Sequence, residues 1–237
     1  MRVLLLAPMS REARALGAEV CGTGAAAGAH VERRLAGGGY DAVVLAGVCG
    51  GMDPSLGAGS VVLARRVLSA TAAPLEPRPE LLEEMRTRLR ARRVPFVAAS
   101  LLTVDRPLAT PSARTDAWNT HGAAGVDMET YAVAAAAERA GLPWIALRTV
   151  LDPAGSSLPD SLANWSNDGD ERAIIRAALR RPLEWPAYVR LALQMRSAMA
   201  SLKRAAPIVV RACELLEANA DAAAPVRSRT VEPIALV

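Results

Sequence analysis

Residues 125–153 constrain the fold more than any other stretch of the chain. Gly125-Val126-Asp127-Met128-Glu129-Thr130-Tyr131 leads into an alanine-rich run that ends at Ala140-Gly141-Leu142-Pro143. Alanine is the best helix former, so most of 132–140 is predicted to be helix. The apolar run Trp144-Ile145-Ala146-Leu147-Arg148-Thr149-Val150 is opened by Pro143 and closed by Asp152-Pro153, which is the pattern of a buried strand. Two acids are placed by this unit. Glu129 lies at the head of a helix, where the macrodipole favours negative charge. Asp152 lies just past the carboxyl end of a strand, where open α/β sheets hold their ligands. Taken singly, each is an ordinary structural acid.

The same alternation runs through the rest of the chain. Residues 3–7 read as a buried strand, followed by a helix with Ser10 as N-cap and Glu12 in its first turn. Gly22-Thr23-Gly24-Ala25-Ala26-Ala27-Gly28 has the wrong spacing for a dinucleotide fingerprint and is predicted to be a tight turn into a helix over 25–35. Residues 40–46 form the next strand. They run into Gly47-Val48-Cys49-Gly50-Gly51-Met52-Asp53-Pro54, where three glycines at a strand's end permit φ > 0 and let a ligand approach the backbone closely, with N–H groups that could hold an anion or a sugar hydroxyl, or else form a plain glycine turn. Cys49 has no histidine placed to serve it and reads as a small buried residue. Further strands are expected over 60–67 and 94–100, with helices over 80–92 and 111–121 and a site loop over 101–107. About six strands alternating with helices imply an α/β/α sandwich around a largely parallel or mixed sheet.

Composition narrows the function classes. The formal charge is only +4, and Lys203 is the only lysine, so arginine supplies nearly all the base. Phe96 is the only phenylalanine, and nucleic-acid binding, which needs clustered base with aromatics, is not expected. Cys21, Cys49 and Cys213 are odd in number and lack metal-ligand spacing, which points to a reduced cytoplasmic protein without a metal site. The N-terminal apolar run stops at Pro8 and is followed by Arg11-Glu12-Ala13-Arg14, so a first strand is expected rather than a signal peptide.

Gly47-Val48-Cys49-Gly50-Gly51-Met52-Asp53-Pro54-Ser55-Leu56, Val126-Asp127-Met128-Glu129 and Arg148-Thr149-Val150-Leu151-Asp152 resemble three motifs of the nucleoside phosphorylase family. The likeness is strongest to its methylthioadenosine/S-adenosylhomocysteine nucleosidase branch, whose short acidic motif Met9-Ser10-Arg11-Glu12 resembles. It covers about residues 1–155. The resemblance implies a three-layer nucleoside phosphorylase-like fold, no cofactor, and a homodimer. It further implies Asp152 as the acid that protonates a purine leaving group, and Glu12 as the residue that activates water. Glu129 would accept the ribose hydroxyls, with Met128 against the sugar and Arg148 near the water or phosphate. Val48, Cys49 and Gly50 would border the substrate. Where phosphorylases of the family carry a serine, this chain has Val48, which favours water over phosphate as nucleophile; a phosphorylase remains the alternative. Leu151 stands where a serine is usual, and Asp105-Arg106-Pro107-Leu108 lacks the expected stacking aromatic.

Beyond residue 155 the sequence departs from the housekeeping nucleosidases. Residues 156–218 are expected to form a helical extension of the same domain: one helix from about Asp170, a second over 184–204, and a third over 207–218. Residues 219–237 read as a loose tail. The second helix carries Tyr188, Leu191, Ala192, Met195, Met199 and Leu202 at three- and four-residue spacing, with Arg190, Arg196, Lys203 and Arg204 along it. Such a basic amphipathic helix can pack on a core or partner subunit, or can lie on a membrane surface. Arg180-Arg181-Pro182-Leu183-Glu184-Trp185-Pro186 and that helix are similar to the tail of hopanoid-biosynthesis nucleosidases, which release adenine from adenosylhopane. That resemblance implies a nucleoside with a triterpene tail. Salvage of methylthioadenosine or S-adenosylhomocysteine and a non-catalytic nucleoside or lipid carrier are the other readings.

Overall fold

The structure is a computed structural model that describes residues 2–163 and 181–223. Seven strands form one mixed sheet: β1 (Val3–Ala7), β2 (Glu19–Val20), β3 (Ala42–Gly51), β4 (Val61–Ser69), β5 (Val97–Thr103), β6 (Gly125–Asp127) and β7 (Trp144–Asp152). They run in the order β2-β1-β3-β6-β5-β4-β7, with a further pairing between β3 and β7. That pairing closes β3, β6, β5, β4 and β7 into a ring, and leaves β1 and β2 as a wing. The two strands unforeseen in the sequence, β2 and β6, are the shortest and carry too few residues to show a period.

Alternation along β3 explains the two cores. Val43 and Leu45 join Leu4, Leu6, Val62, Trp144 and Ala146 on one face, under helices α2 (Ala25–Ala36) and α5 (Thr130–Arg139). Val44 and Ala46 join Leu63, Ile145 and Leu147 on the other. Strands apolar on both sides are expected when helices cover both faces. The α2–α5 crossing is close because Gly28 has no side chain: a Cβ there would lie 3.0 Å from the Ala132 carbonyl oxygen. The second face is covered by α1 (Ser10–Leu16), α3 (Pro79–Ala91) and a long C-terminal helix. Helix α4 (Pro111–His121) stands at the carboxyl end of the ring, packing Trp118 near Met52, Leu102 and Val126.

After a short helix α6 (Asp160–Ala163), the described chain resumes at residue 181 and enters α7 (Trp185–Ala223) through a 3₁₀ turn. The sequence suggested a break at Pro207 and a tail from 219. The structure has one helix across both points; it passes Pro207 because Ala205, Ala206, Val209 and Ala212 are buried in the second core while Pro207 itself is exposed. Tertiary burial offsets the roughly 3 kcal/mol that a proline costs a helix interior. The helix expected from Asp170 and the end of the chain after Ala223 lie outside the described residues. Gly59, with φ +89, lets α7 come close, since a Cβ there would stand 2.6 Å from Ser197 Oγ.

The expected glycine loop is a second correction. Residues 47–51 continue strand β3, and none of Gly47, Gly50 and Gly51 has a positive φ. What they supply is space. A Cβ on Gly47 would sit 2.5 Å from Arg148 Nη1, one on Gly50 3.1 Å from Val126 Cγ1, and one on Gly51 3.0 Å from Val150 Cγ1.

Candidate active site

The carboxyl ends of β3 and β7, the start of α1 and the head of α5 converge on a cavity of about 410 Å³. Its walls are mostly apolar. Glu12, Val48, Cys49, Gly50, Met128, Glu129 and Asp152 all line it, together with Asp127, Arg114 and Thr23. Thus seven of the eight residues proposed from sequence meet in one place. Arg148 is the exception: it stands behind the wall.

Glu12 is 1% exposed and fixed by the backbone. The Val48 N–H donates to its Oε1 at 2.7 Å, and the Met9 N–H donates to its Oε2 at 3.0 Å. Met9, rather than Ser10, occupies the N-cap position of α1. The N–H expected to meet a ligand in the glycine stretch therefore holds the acid instead.

Arg148 organises a buried cluster. Its Nη2 donates to Glu129 Oε1 at 2.7 Å and to Thr130 Oγ1 at 2.8 Å, and lies 2.9 Å from Asp127 Oδ2. Thr103 Oγ1 donates to Asp127 Oδ1 at 2.9 Å, and the Thr130 hydroxyl donates to Asp127 Oδ2. Asp127 is thereby satisfied within the protein. Glu129, bound to Arg148 through Oε1, is itself part of the cavity wall. Burial pushes the Glu129 carboxyl up to about 8; Arg148 opposes this, while Asp127 and Glu12 add to it. Arg148 Nη1 is buried with no hydrogen-bond partner.

Asp152 is held from the other side. Arg114 reaches from α4 to donate through Nη2 to Asp152 Oδ2, and through Nη1 to the Asp152 and Pro153 carbonyl oxygens at 2.9 and 3.0 Å. Its Nε donates to the Leu108 carbonyl oxygen at 2.8 Å. Burial raises the Asp152 pKa, Arg114 works against that rise, and the net direction is upward. The β3–β7 register shifts between Cys49 and Gly50, so that Gly50 pairs with Asp152 and Leu151 becomes the extra residue. A bulge of this kind re-aims side chains, and Leu151 and Asp152 both reach the cavity. Cys49 is buried and its thiol pKa is raised by that burial, which keeps it protonated and unreactive.

Arg114 and Asp127 had no role in the sequence reading. Asp127 carried a signal, since it sits two residues before Glu129 in the same motif. Arg114 carried none, lying in a polar helix where an arginine is ordinarily solvated.

The family model for the phosphorylase superfamily matches residues 8–180. The chain belongs to the phosphorylase superfamily. Among solved structures it is similar to a futalosine hydrolase mutant of Helicobacter pylori, with a TM-score of 0.70 and 12% identity over 89% of this chain and 99% of that one. It is similar to the Helicobacter pylori 5′-methylthioadenosine/S-adenosylhomocysteine nucleosidase bound to butyl-thio-DADMe-Immucillin-A, with a TM-score of 0.68 and 14% identity over 89% and 98% of the two chains. It also resembles the Streptococcus pyogenes S-adenosylhomocysteine nucleosidase bound to 5-methylthiotubericidin, with a TM-score of 0.67 and 17% identity over 91% and 97%. At these identities the likeness establishes the fold. A search of curated proteins returns no match. This superfamily member has the mixed sheet and flanking helices of those structures, with an additional long C-terminal helix.

Proposed function

We propose that this superfamily member is a purine nucleosidase that uses water to cleave the N-glycosidic bond of an adenosylated lipid, adenosylhopane, giving ribosylhopane and adenine. The observation that carries this reading is the convergence of Glu12, Glu129 and Asp152 on one largely apolar cavity. Cleavage breaks the bond between C1′ and the base nitrogen, and the electron pair leaves with the base. Asp152, its pKa raised by burial, protonates the base at N7; general-acid help of this kind contributes roughly 10²–10⁴-fold. Water adds to C1′, and Glu12, locked by two backbone N–H groups, takes its proton. Glu129 accepts the ribose hydroxyls, with Met128 against the sugar. Arg148 acts through Glu129, holding it in place while positive charge builds on the ribose.

Two observations favour water over phosphate. Val48 has no hydroxyl, and its N–H is already given to Glu12. Glu12 also places a carboxylate where a phosphate would have to sit, and burying two such anions together is costly. The apolar tail is supported by the wall that α7 contributes: Tyr188, Leu191, Ala192 and Met195 line the cavity beside Leu158 and Leu162. A volume of about 410 Å³ suits one drug-sized ligand, so a triterpene on C5′ projects through the mouth. Small 5′-thio substituents would also fit, and the methylthio-nucleoside analogues bound by similar structures make salvage the second reading.

The test is adenine release from adenosylhopane and from methylthioadenosine, each with and without phosphate. Release from the hopanoid, unaffected by phosphate, is the expected result. Release from methylthioadenosine alone assigns the chain to salvage, and strict phosphate dependence refutes the role of Glu12.

A further inference from the structure

Helix α7 has two apolar sides at its N-terminal end. Its inner side closes the cavity with Tyr188, Leu191, Ala192 and Met195. Its outer side presents Trp185, Val189 and Leu193, spaced one turn apart and exposed by 53%, 60% and 60%. Leu183, just before the helix, is 96% exposed. Isolated surface hydrophobics are ordinary; a stripe of them on the outer side of a helix that lines an apolar cavity is not. Arg196 and Lys203 continue the stripe, and Arg190 and Arg204 flank it, all four exposed. No acid occurs from Trp185 to Cys213.

We infer that this stripe seats the protein on an anionic lipid bilayer, with the first turns of α7 lying in the membrane plane. The inference deepens the lipid-tailed reading of the cavity, and its biological purpose rests on that reading. Apolar side chains at helical spacing with basic residues beside them are the chemistry of an interfacial helix, and each base near an anionic surface adds attraction. A second copy of this chain is a poorer occupant. Two such stripes face to face would oppose Arg190, Arg196, Lys203 and Arg204 with no acid between them. With its outer side in the bilayer and its inner side on the cavity, α7 places the cavity mouth at the membrane surface.

The test is flotation of the full chain with phosphatidylcholine vesicles, with and without phosphatidylglycerol. The wild type is expected to float with the anionic vesicles and to be released by high salt. Val189→Asp/Leu193→Asp is expected to lower the bound fraction about tenfold, and Arg196→Glu/Lys203→Glu to lower it on anionic vesicles. Circular dichroism and thermal unfolding of the same preparations report that the core remains folded. Wild type left in the load, or equal flotation of the apolar-to-acid variant, overturns the inference. So does a variant that merely converts a dimer to a monomer. Flotation without adenine release from a lipid-tailed nucleoside leaves the docking intact and sinks the substrate instead.

Discussion

Arg114 grips Asp152 by both its carboxylate and its backbone carbonyl, and the same guanidinium holds the Leu108 carbonyl of the neighbouring loop. Asp152 therefore has one orientation, tied to a loop that lines the cavity through Pro107 and Leu108. Arg114→Gln is expected to lower kcat about 100-fold by loosening that geometry, with Arg114→Lys recovering part of it. Steady-state kinetics with circular dichroism as a folding check decide this; an unchanged kcat in a folded Arg114→Gln protein refutes the positioning role.

Asp152→Asn keeps the shape of the side chain and removes its proton. Turnover should fall by roughly 10²–10⁴-fold, while substrate still protects the variant against thermal unfolding. Glu12→Gln should fall comparably, because an amide cannot take the proton of water. Near-normal turnover in either variant removes that residue from the mechanism.

Gly47→Ala tests the space required by the Arg148 cluster. The added methyl would lie 2.5 Å from Arg148 Nη1 and 3.0 Å from Glu12 Oε1, and both groups are fully buried. Overpacking of this kind costs about 1–3 kcal/mol, so the urea midpoint should drop along with activity. A variant as stable and active as the wild type would mean that the cluster yields easily.

Glu129 gives a pH signature. Its carboxyl titrates near 8 in the folded chain against an ordinary 4.5, so the native state binds the proton more tightly than the unfolded chain. Stability linked to this group is complete below pH 4.5 and is lost as pH rises towards 8. Thermal unfolding of wild type and Glu129→Gln should show the wild type losing ground to the variant across that interval. Parallel pH dependences would exclude the effect.

Strand–helix alternation was legible because runs such as 42–46 and 144–150 are apolar on both faces and long enough to show it. The acids stand at element ends, which alone marks them as ordinary structural acids; the motifs around Glu12, Glu129 and Asp152, taken together, singled them out. The glycine stretch misled for a physical reason: glycine suggests positive φ, but here it serves an extended strand that must pass Arg148, Val126 and Val150 closely. Pro207 misled in the same way, since local propensity favours a break and burial of its neighbours overrides it. Arg114 was hidden because its partners, Leu108 and the 152–153 turn, are brought to it only by the closed ring of strands.

One wall of the cavity is a helix that carries none of the three acids proposed to act there. Glu12, Glu129 and Asp152 stand on or beside α1, α5 and β7, whereas Tyr188, Leu191, Ala192 and Met195 come from α7 alone. On the proposed roles, chemistry and admission are encoded in separate stretches of the chain, so changes in α7 would redraw the guest list of the pocket and leave the proposed bond-breaking acids untouched.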